Sequence, residues 1–504
     1  MGATDHLPYS RPLRTLDTTY YFETYPCKDW ALIMKTLKTD ILVLGAGAGG
    51  LSVAAGAAQM GARVVLLEGH KMGGDCLNYG CVPSKALLAV GAAAHARTIG
   101  KRMGVLPVFT KSDYAKAKDF VDSVITEIKP HDSVERFEAL GVQVIQEFGR
   151  FISPTEVQAG DTVITARRIV IATGSRPFVP LIPGLVDVPF YTNENIFDLR
   201  EKPEHLLVLG GGAIGMEMAQ AHRRLGCLVT VIESQKAFGK DDPEIAAIAL
   251  QKLRGEGILI VEGALAENIS GVVGEITVET SNGTFTGTHL LVATGRKVNT
   301  EKLNLEVAGI EHHRGGITTD AGLRSSNRKV YAIGDVAGEL RFTHVAGYHA
   351  GVIIRSMLFA LPAKAKVEHI PWATYTDPEL AQVGMMEAQA REKFGSRLDV
   401  VRFDFSGSDR AIATGKVAGL IKVMIVRGRP VGASIVGAGA GELIGLWSMA
   451  IANNLKMSAI AATVLPYPSM GEINKRAAGA YFSPKLFESR MIKWVVAFVQ
   501  RFLP

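Results

Sequence analysis

Two cysteines, Cys76 and Cys81, stand five positions apart in GGDCLNYGCVPSK, residues 73–85. Cysteines at this spacing could bind a metal, form a structural disulfide, or form a disulfide that is reduced and re-formed. On a regular helix, positions five apart are separated by about 7.5 Å along the axis, whereas a disulfide needs Cα atoms roughly 4.4–6.8 Å apart. The pair can therefore join only where the backbone leaves a regular helix, and Asn78 and Gly80 tolerate the unusual φ values that this requires.

The number of cysteines favours redox chemistry for this pair. The chain of 504 residues has only 4 cysteines, too few for a disulfide scaffold. In a reducing cytosol, a close pair is more often catalytic or metal-binding than structural. A zinc site would need two further Cys or His ligands at a recognisable spacing, and none follows. We predict a redox-active disulfide and no metal site, with a metal clip or inert thiols as the alternatives.

A glycine-rich turn precedes the cysteines in TDILVLGAGAGG, residues 39–50, where an apolar strand runs into G-x-G-x-x-G spacing and a helix of small residues. In such a unit Gly45 permits the tight turn, Gly47 the close approach of a pyrophosphate, and Gly50 the packing of helix on strand. The helix N-terminus offers amides and a positive dipole to phosphates. Glu68, at the end of the next strand, can bind a ribose hydroxyl pair. The segment predicts a dinucleotide site, with a glycine-rich packing turn as the alternative.

The same pattern recurs in HLLVLGGGAIGMEMAQAHRRLGCLVTVIE, with Gly210, Gly212, Gly215 and a terminal Glu233. Two such units imply two dinucleotides, and an oxidoreductase with two usually passes a hydride between a nicotinamide and a flavin. Glu233 favours NAD, because its carboxylate accepts from the ribose 2′-hydroxyl and would repel a 2′-phosphate. Lys236 is close enough in sequence to weaken that repulsion, so NADP stays an alternative.

From about residue 39 to about residue 483 the chain resembles the flavin-dependent pyridine nucleotide–disulfide oxidoreductases, such as lipoamide dehydrogenase, glutathione reductase and mercuric reductase. The shared stretches follow the family's order: GAGAGG, GGDCLNYGCVPSK, ATGSRP, GGGAIGME, ATGRKVN, AIGD and YPSMGE. The resemblance implies an α/β fold with two Rossmann-like dinucleotide-binding domains and a C-terminal α+β dimerisation domain that makes a homodimer. The expected ranges are 34–182 with 300–366 for the FAD domain, 183–299 for the NAD(P) domain and 367–485 for the interface domain.

The resemblance also implies roles for single residues. Cys76 would be the interchange thiol that attacks the acceptor, and Cys81 the thiol that lies against the flavin. Lys85 would pair with Glu217 and stabilise negative charge on the reduced flavin, although from sequence alone Glu217 could be an ordinary surface acid on a helix. The predicted cofactor-binding residues, with Lys85 among them, are Gly45, Gly47, Ala48, Gly49, Gly50, Glu68, Gly74, Asp75, Gly149, Ala172, Thr173, Gly174, Gly210, Gly212, Ala213, Ile214, Gly215, Glu233, Gly295, Gly334, Asp335, Phe342, Thr343 and His344.

The C-terminal stretch departs from the family pattern. Lipoamide dehydrogenase and glutathione reductase have a histidine here, followed five residues later by a glutamate, and that histidine exchanges protons with the other subunit's interchange thiol. This chain keeps the glutamate, Glu472, but has Tyr467 at the histidine position. A tyrosine titrates near pH ~10 and is a poor base at neutral pH, although it can hydrogen-bond a thiolate or a bound anion. Tyr467 is therefore a candidate catalytic residue, with an aromatic packed at the dimer interface as the alternative.

The acceptor is not identified by any motif. Mercuric reductase has a C-terminal cysteine pair that passes the metal ion inward, whereas no cysteine follows Cys227 here. We predict an FAD-containing NAD(P)H:disulfide oxidoreductase with a small-molecule or protein disulfide-type acceptor. The alternatives are mercuric ion reduction, dihydrolipoamide dehydrogenase activity, a diaphorase or quinone reductase that leaves the cysteines idle, and a non-catalytic redox sensor.

Charge and hydropathy limit the partners. The net charge of +6 is mild and no basic run is interleaved with aromatics, so a nucleic-acid partner is not predicted. No run of about 18 apolar residues predicts a membrane-spanning helix, and no secretory signal is visible, so we expect a cytoplasmic location. Residues 1–33 lack apolar periodicity and are expected to form a disordered extension.

The last residues, PKLFESRMIKWVVAFVQRFLP, are basic and amphipathic, which predicts a helical tail over 486–504. Such a helix can pack on its own protein or lie on an anionic membrane surface, and it is too short to span a bilayer. Its apolar side chains at helical spacing are Phe487, Met491, Trp494, Val495, Phe498 and Phe502, and the cations available for its polar face are Lys485, Arg490, Lys493 and Arg501.

Overall fold

A computed structural model describes residues 34–108, 111–338 and 340–503 of the chain. The extension predicted for residues 1–33 lies outside the described residues. The α/β architecture expected from the sequence is confirmed, with two parallel sheets of Rossmann type and a separate antiparallel sheet.

The first parallel sheet contains the first glycine-rich turn. Its apolar strands are buried on both faces, as parallel strands covered by helices must be. In spatial order its parallel strands are Val142–Ile145, Val64–Leu67, Lys35–Leu44, Thr162–Ile171 and Val330–Ala332. An antiparallel ribbon of Gly149–Ser153 and Glu156–Ala159 continues from the first half of the fourth strand. The helices Ala48–Gln59 and Thr343–Phe359 share one apolar core on this sheet.

The second parallel sheet repeats the arrangement around the second glycine-rich turn. Its strands in spatial order are Leu259–Glu262, Leu228–Glu233, His205–Leu209 and His289–Val292. Its helices are Ala213–Arg224 and Pro243–Gly255, and a three-stranded antiparallel sheet of Ala266–Val272, Glu275–Thr280 and Gly283–Gly287 follows in the chain. The chain enters and leaves this unit through two short paired strands, Ser175–Pro177 and Arg296–Val298.

The third sheet is antiparallel and five-stranded, in the order Pro371–Thr374, Glu379–Gly384, Arg429–Gly437, Leu420–Val426 and Leu398–Asp404. Its first two strands lie within the range 367–485 expected for the interface domain. Trp447 is fully buried on this sheet and donates a hydrogen bond from Nε1 to Asn474 Oδ1 at 2.8 Å. The helices of this part are Glu387–Phe394, Asp409–Ala413, Ala440–Ala452, Met457–Ala461 and Glu472–Phe487.

The remaining elements of the described chain before the C-terminal tail are four helices, one pair of short strands and several 3₁₀ turns. Four further helices are Gly74–Asn78, Cys81–Ile99, Tyr114–Ile128 and Val134–Ala139. Two-residue strands lie at His312–His313 and Gly316–Ile317. The 3₁₀ turns are Gly100–Met103, Lys129–Asp132, Leu185–Asp187, Ile196–Asp198, Leu305–Ala308, Gly334–Ala337, Gly395–Arg397 and Phe405–Gly407.

The C-terminal tail forms a helix, but this helix begins later than the sequence suggests. Phe487 ends the helix that starts at Glu472, and a separate helix runs over Arg490–Phe502. Ser489 begins this last helix, since its hydroxyl accepts a hydrogen bond from the amide of Ile492 at 3.3 Å. Phe487 and Lys485 therefore do not belong to the tail helix. Within the described ranges, no helix is long and apolar enough to cross a membrane.

Candidate active site

One cleft, with a volume of about 2080 Å³, joins the two glycine-rich turns and the cysteine pair. Every predicted cofactor-binding residue lines it except Gly50 and Gly215. These two pack instead: a Cβ would lie 1.9 Å from the carbonyl oxygen of Gly45 at Gly50, and 2.0 Å from that of Gly210 at Gly215. Both are the helix-packing glycines of their motifs, so their absence from the cleft follows from the role predicted for Gly50.

The two parallel units hold their acidic residues in the same way. Glu68 Oε2 accepts from the amide of Ala46 at 2.7 Å, and its Oε1 accepts from the amide of His70 at 2.8 Å. Glu233 Oε2 accepts from the amide of Gly211 at 2.7 Å, and its Oε1 accepts from the amide of Gln235 at 2.8 Å. Each carboxylate is therefore fixed over its own glycine turn and faces the cleft, where a ribose would lie.

The space above both turns fits dinucleotide phosphates. A Cβ built on Gly47 or on Gly212 would meet no atom within 4 Å, so the backbone of each helix N-terminus is open to the cleft. Gly45 has a φ of +103° and its Cβ would lie 2.5 Å from the carbonyl oxygen of Ala172, which only glycine avoids. The amides and the dipole of each helix can therefore reach a pyrophosphate, and the residues present fit FAD at the first unit and NAD(P) at the second.

The cysteines lie on two different helices, because the backbone breaks between them. The helix Gly74–Asn78 ends at Tyr79, and a new helix begins at Cys81. The break predicted from the disulfide geometry is present, but it lies at Tyr79 and Gly80 rather than at Asn78. The Asn78 side chain instead secures the first helix, since its Nδ2 donates to the carbonyl oxygens of Met72 at 3.0 Å and Gly74 at 2.8 Å.

Cys76 and Cys81 are free thiols, and their environments differ, since Cys76 is partly buried and Cys81 is exposed to the cleft. The pKa of Cys81 is lowered to about 6, first by the hydrogen bond from Cys76, then by the Thr343 hydroxyl and by the charge of Lys85. The Thr343 Oγ1 lies 3.3 Å from the Cys81 sulfur. The same thiol–thiol bond, together with burial, raises the pKa of Cys76. In the reduced pair the proton therefore stays on Cys76 and the negative charge on Cys81.

The Lys85–Glu217 ion pair expected from the resemblance is present. The Lys85 Nζ lies 2.8 Å from one oxygen of Glu217 and 3.1 Å from the other. Glu217 is 4% exposed, so it is not a surface acid. It also accepts from the amide of Tyr375 at 2.8 Å, and the Tyr375 ring lies 4.6 Å from the Lys85 Nζ. Nothing in the sequence pointed to Tyr375, which reaches the pair from the third sheet.

A second polar network holds Asp75, the residue next to Cys76. Asp75 pairs with Arg296 at 3.0 Å and accepts from Asn193 Nδ2 at 3.1 Å. Arg296 also donates to Ser175 Oγ at 2.7 Å, and Ser175 in turn donates to Asp335. Sequence reasoning missed Arg296, Asn193 and Ser175 as site residues. The position of Arg296 directly after Gly295 in ATGRKVN is the one signal that could have found it.

Tyr467 and Glu472 do not join the cleft of their own chain. Tyr467 is 68% exposed, and its hydroxyl donates to Asp409 Oδ2 at 3.0 Å, which raises the pKa of the tyrosine. The Asp409 carboxylate also lies 3.5 Å from Arg476 Nη2. One carboxylate oxygen of Glu472 is buried without a hydrogen-bond partner in the described chain. The catalytic role predicted for both residues stays a prediction.

Two family matches cover most of the chain. Residues 39–350 match the family described as pyridine nucleotide-disulphide oxidoreductase. Residues 370–478 match the dimerisation domain of the same family. The second match supports a homodimer and accounts for the antiparallel sheet.

Similar proteins include a mercuric reductase of Lysinibacillus sphaericus, 33% identical over 449 residues, which cover 87% of this chain and 82% of the relative. A dihydrolipoyl dehydrogenase of Geobacillus stearothermophilus is 32% identical over 462 residues, or 88% of this chain and 96% of the relative. Among solved structures, the HOCl-induced flavoprotein disulfide reductase RclA from Escherichia coli aligns with a TM-score of 0.78 and 28% identity, over 87% of this chain and 99% of that one. The chain therefore belongs to the pyridine nucleotide-disulphide oxidoreductases, flavin-dependent enzymes that use FAD and NAD(P)H.

Proposed function

We propose that this flavoenzyme is an NADH-dependent disulfide reductase in which Cys76 and Cys81 deliver two electrons to a disulfide-type acceptor. One observation carries the proposal: the cysteine pair lines the same cleft as both dinucleotide units, and the pKa of Cys81 is lowered to about 6. Bound FAD supplies two-electron transfer between the nicotinamide and the cysteine disulfide. The protein contributes the positions of the thiols, their protonation states and the charges around them.

The family resemblance assigns Cys76 as the attacking thiol, and the Cys81 thiolate beside it can act as the base that Cys76 needs. Cys76 carries the proton, and its hydrogen bond to the Cys81 thiolate gives that proton a route to leave. The freed Cys76 sulfur attacks one sulfur of the acceptor disulfide, and the acceptor's S–S bond breaks. The first acceptor sulfur leaves as a thiol with the proton that Cys81 took up, so Cys81 is a thiolate again. Cys81 then attacks Cys76 in the mixed disulfide, the Cys76–Cys81 disulfide forms, and the second acceptor sulfur leaves as a thiolate that takes a proton from water.

The mercuric and lipoamide activities named for the relatives are less well supported for this chain. Residues 228–504 contain no cysteine, whereas an efficient mercuric ion reductase is expected to have a C-terminal cysteine pair. The residue at the family's histidine position is Tyr467, whose pKa is raised further by Asp409, so it is not a base near neutral pH. We propose an acceptor whose reduction needs no such base, a disulfide with a leaving thiol of low pKa.

We propose NADH as the preferred electron donor. The Glu233 carboxylate is fixed by two backbone amides in the geometry that Glu68 has at the FAD unit. A carboxylate held in this way accepts from a ribose 2′-hydroxyl and repels a 2′-phosphate. Lys236 also lines the cleft, but a flexible ammonium is less suited than an arginine fork to a phosphate at a fixed position.

We also propose a peripheral contact between a membrane surface and the C-terminal tail. The redox site does not depend on this contact, since the tail helix Arg490–Phe502 contributes no residue to the cleft.

The test is disulfide reduction by the Cys76→Ser variant of the FAD-loaded protein. NADH oxidation would be followed with oxidised lipoamide, glutathione disulfide and cystine in turn, and with a quinone. We expect the substitution to abolish turnover of every disulfide that the wild type reduces. Cys227→Ala is the matched control, because that cysteine is buried away from the cleft and should leave turnover unchanged.

Three results would contradict the proposal. Disulfide turnover that survives Cys76→Ser would mean that the cysteines are bypassed. Quinone reduction without any disulfide reduction in the wild type would favour a diaphorase. Negligible turnover with every acceptor would favour the non-catalytic sensor.

A further inference from the structure

The tail helix Arg490–Phe502 exposes an apolar face that the described chain does not cover. None of its residues is buried. Its largest apolar side chains are among the most exposed of their type, with Met491 at 71%, Trp494 at 67% and Phe502 at 62%. The rings of Trp494 and Phe498 stack at 5.8 Å, and those of Phe498 and Phe502 lie 4.9 Å apart, so they form one continuous surface. The described residues therefore do not cover this face, although the sequence left open that the helix packs on its own protein.

The helix separates apolar and cationic side chains on opposite faces. At about 100° per residue, the apolar side chains cover roughly 200° of the circumference. The apolar face comprises Met491, Ile492, Trp494, Val495, Val496, Phe498, Val499 and Phe502. The remaining face comprises Arg490, Lys493, Ala497, Gln500 and Arg501 and contains no acidic residue.

This pattern fits one occupant better than others. A monomer rarely leaves a continuous apolar surface of this kind in water. The helix has 13 residues, so it is about 20 Å long and cannot cross a hydrocarbon core of about 30 Å. The charged residues of the polar face are all cations, so this face complements an anionic surface. A Trp beside Lys and Arg suits the boundary between headgroups and acyl chains. The helix also lies beyond residue 478, where the match to the family's dimerisation domain ends.

We propose that the helix Arg490–Phe502 is an interfacial anchor that lies in the plane of an anionic phospholipid bilayer, with its apolar face in the acyl boundary and its cations at the headgroups. This inference rests on the peripheral contact proposed above and names its lipid. A homodimer carries two such helices. If both engage one bilayer, the second binds with a raised effective concentration, so two individually weak contacts hold the dimer firmly.

The test is flotation of the full FAD-loaded chain with two kinds of vesicle, phosphatidylcholine alone and phosphatidylcholine with roughly one-third phosphatidylserine. We expect the wild type to float with the anionic vesicles and to be released by high salt. Replacing the three cations by glutamine (Arg490→Gln, Lys493→Gln and Arg501→Gln) should weaken this partitioning on the order of 100-fold, since each cation near the surface contributes about fivefold. Trp494→Ser with Phe498→Ser should abolish flotation, whereas Gln500→Ser on the polar face should leave it unchanged.

Sedimentation of the same variants separates the membrane from a second copy of the chain. The anchor predicts that all of them stay dimeric and reduce disulfides in solution at the wild-type rate. Absence of wild-type flotation, or flotation that survives loss of Trp494 and Phe498, would overturn the anchor. Conversion of the Trp494→Ser, Phe498→Ser variant to monomers would also overturn it, because a second copy would then cover the face. A wild-type protein that floats with vesicles but reduces no disulfide would refute the proposed reductase activity and would not affect the proposed membrane anchor.

Discussion

Replacing Thr343 by valine should raise the pKa of Cys81 without changing the shape of the site. The Thr343 hydroxyl lies 3.3 Å from the Cys81 sulfur and helps to lower the pKa of that thiol to about 6. Valine has nearly the same volume as threonine but no hydroxyl, so the substitution removes this hydrogen bond and the one that Thr343 makes to Cys76. The thiol bond from Cys76 and the charge of Lys85 remain.

The expected shift is about one pKa unit. A hydrogen bond to a charged group contributes roughly 1.5–3 kcal/mol when it is shielded from water. Cys81 is exposed to the cleft, so solvent can replace part of the lost bond, and a value near 1.4 kcal/mol is reasonable. The pKa of Cys81 should therefore rise from about 6 to about 7. A thiol is ionised at pH values above its pKa. As the pH is lowered, the Thr343→Val variant should therefore lose its Cys81 thiolate at a higher pH than the wild type does.

The assay is the long-wavelength absorption of the reduced holoenzyme, which reports a thiolate beside the flavin, recorded as a function of pH. The midpoint should move up by about one unit in Thr343→Val. Ser84→Ala is the matched control, because the Ser84 hydroxyl contacts the Cys81 carbonyl oxygen at 3.2 Å rather than the sulfur. Equal midpoints in Thr343→Val and the wild type, or an equal shift in Ser84→Ala, would refute the reasoning.

Three further predictions follow from single contacts. Lys85→Met should lower the free energy of unfolding by about 2–3 kcal/mol, because the buried Glu217 is left without its cation. In urea denaturation, the double variant Lys85→Met, Glu217→Leu should recover part of this loss. A double variant less stable than Lys85→Met would contradict the prediction. Glu233→Gln should lower kcat/KM for NADH by roughly 10-fold and leave that for NADPH unchanged or higher, and steady-state kinetics that show equal losses for both would count against the proposed ribose contact. Lys118 is fully buried, and burial lowers its pKa to about 7, so above that pH the unfolded chain binds one more proton than the folded chain. The free energy of unfolding should therefore rise with pH above about 7 more steeply in the wild type than in Lys118→Met. Parallel pH profiles of the two proteins would exclude this.

The local patterns of the sequence were sufficient for the fold and for most of the cleft. The roles of Gly45, Gly47 and Gly50 follow from spacing, because a strand, a glycine turn and a helix within one short segment have a single way to pack. The same holds for the second unit, and all the predicted cofactor residues except Gly50 and Gly215 lie around one cleft. The helix break between Cys76 and Cys81 also followed from geometry, since no regular helix brings positions five apart close enough to bond.

Contacts between distant segments were not predictable from those patterns. Thr343 reaches Cys81 across 262 positions, and Tyr375 reaches Glu217 across 158. Such contacts depend on how the two parallel sheets and the five-stranded antiparallel sheet pack together, and no local periodicity encodes that packing. Asn78 was assigned to the break because of its tolerance for unusual φ values, yet its side chain finds two carbonyl acceptors that hold it in the helix. Phe487 fits the apolar spacing of the tail, but the cap at Ser489 starts a new helix after it.

The tail shows a further limit of periodicity. Hydrophobic spacing predicted an amphipathic helix, and the helix is present over Arg490–Phe502. Whether an apolar face is covered depends on the surface beside it, and that surface comes from segments far away in sequence. The spacing alone therefore left two alternatives open, and the exposure of Trp494 and Phe502 favours the contact outside the chain.

The central claim, that electrons reach the Cys76–Cys81 pair, is tested most directly by anaerobic titration of the FAD-loaded protein with NADH while the visible spectrum is recorded. A long-wavelength band should appear on addition of NADH, because the lowered pKa of Cys81 leaves this residue a thiolate at neutral pH, and Cys81→Ser should remove the band. Direct bleaching of the flavin without such a band in the wild type would contradict the account, since the electrons would then bypass the cysteines.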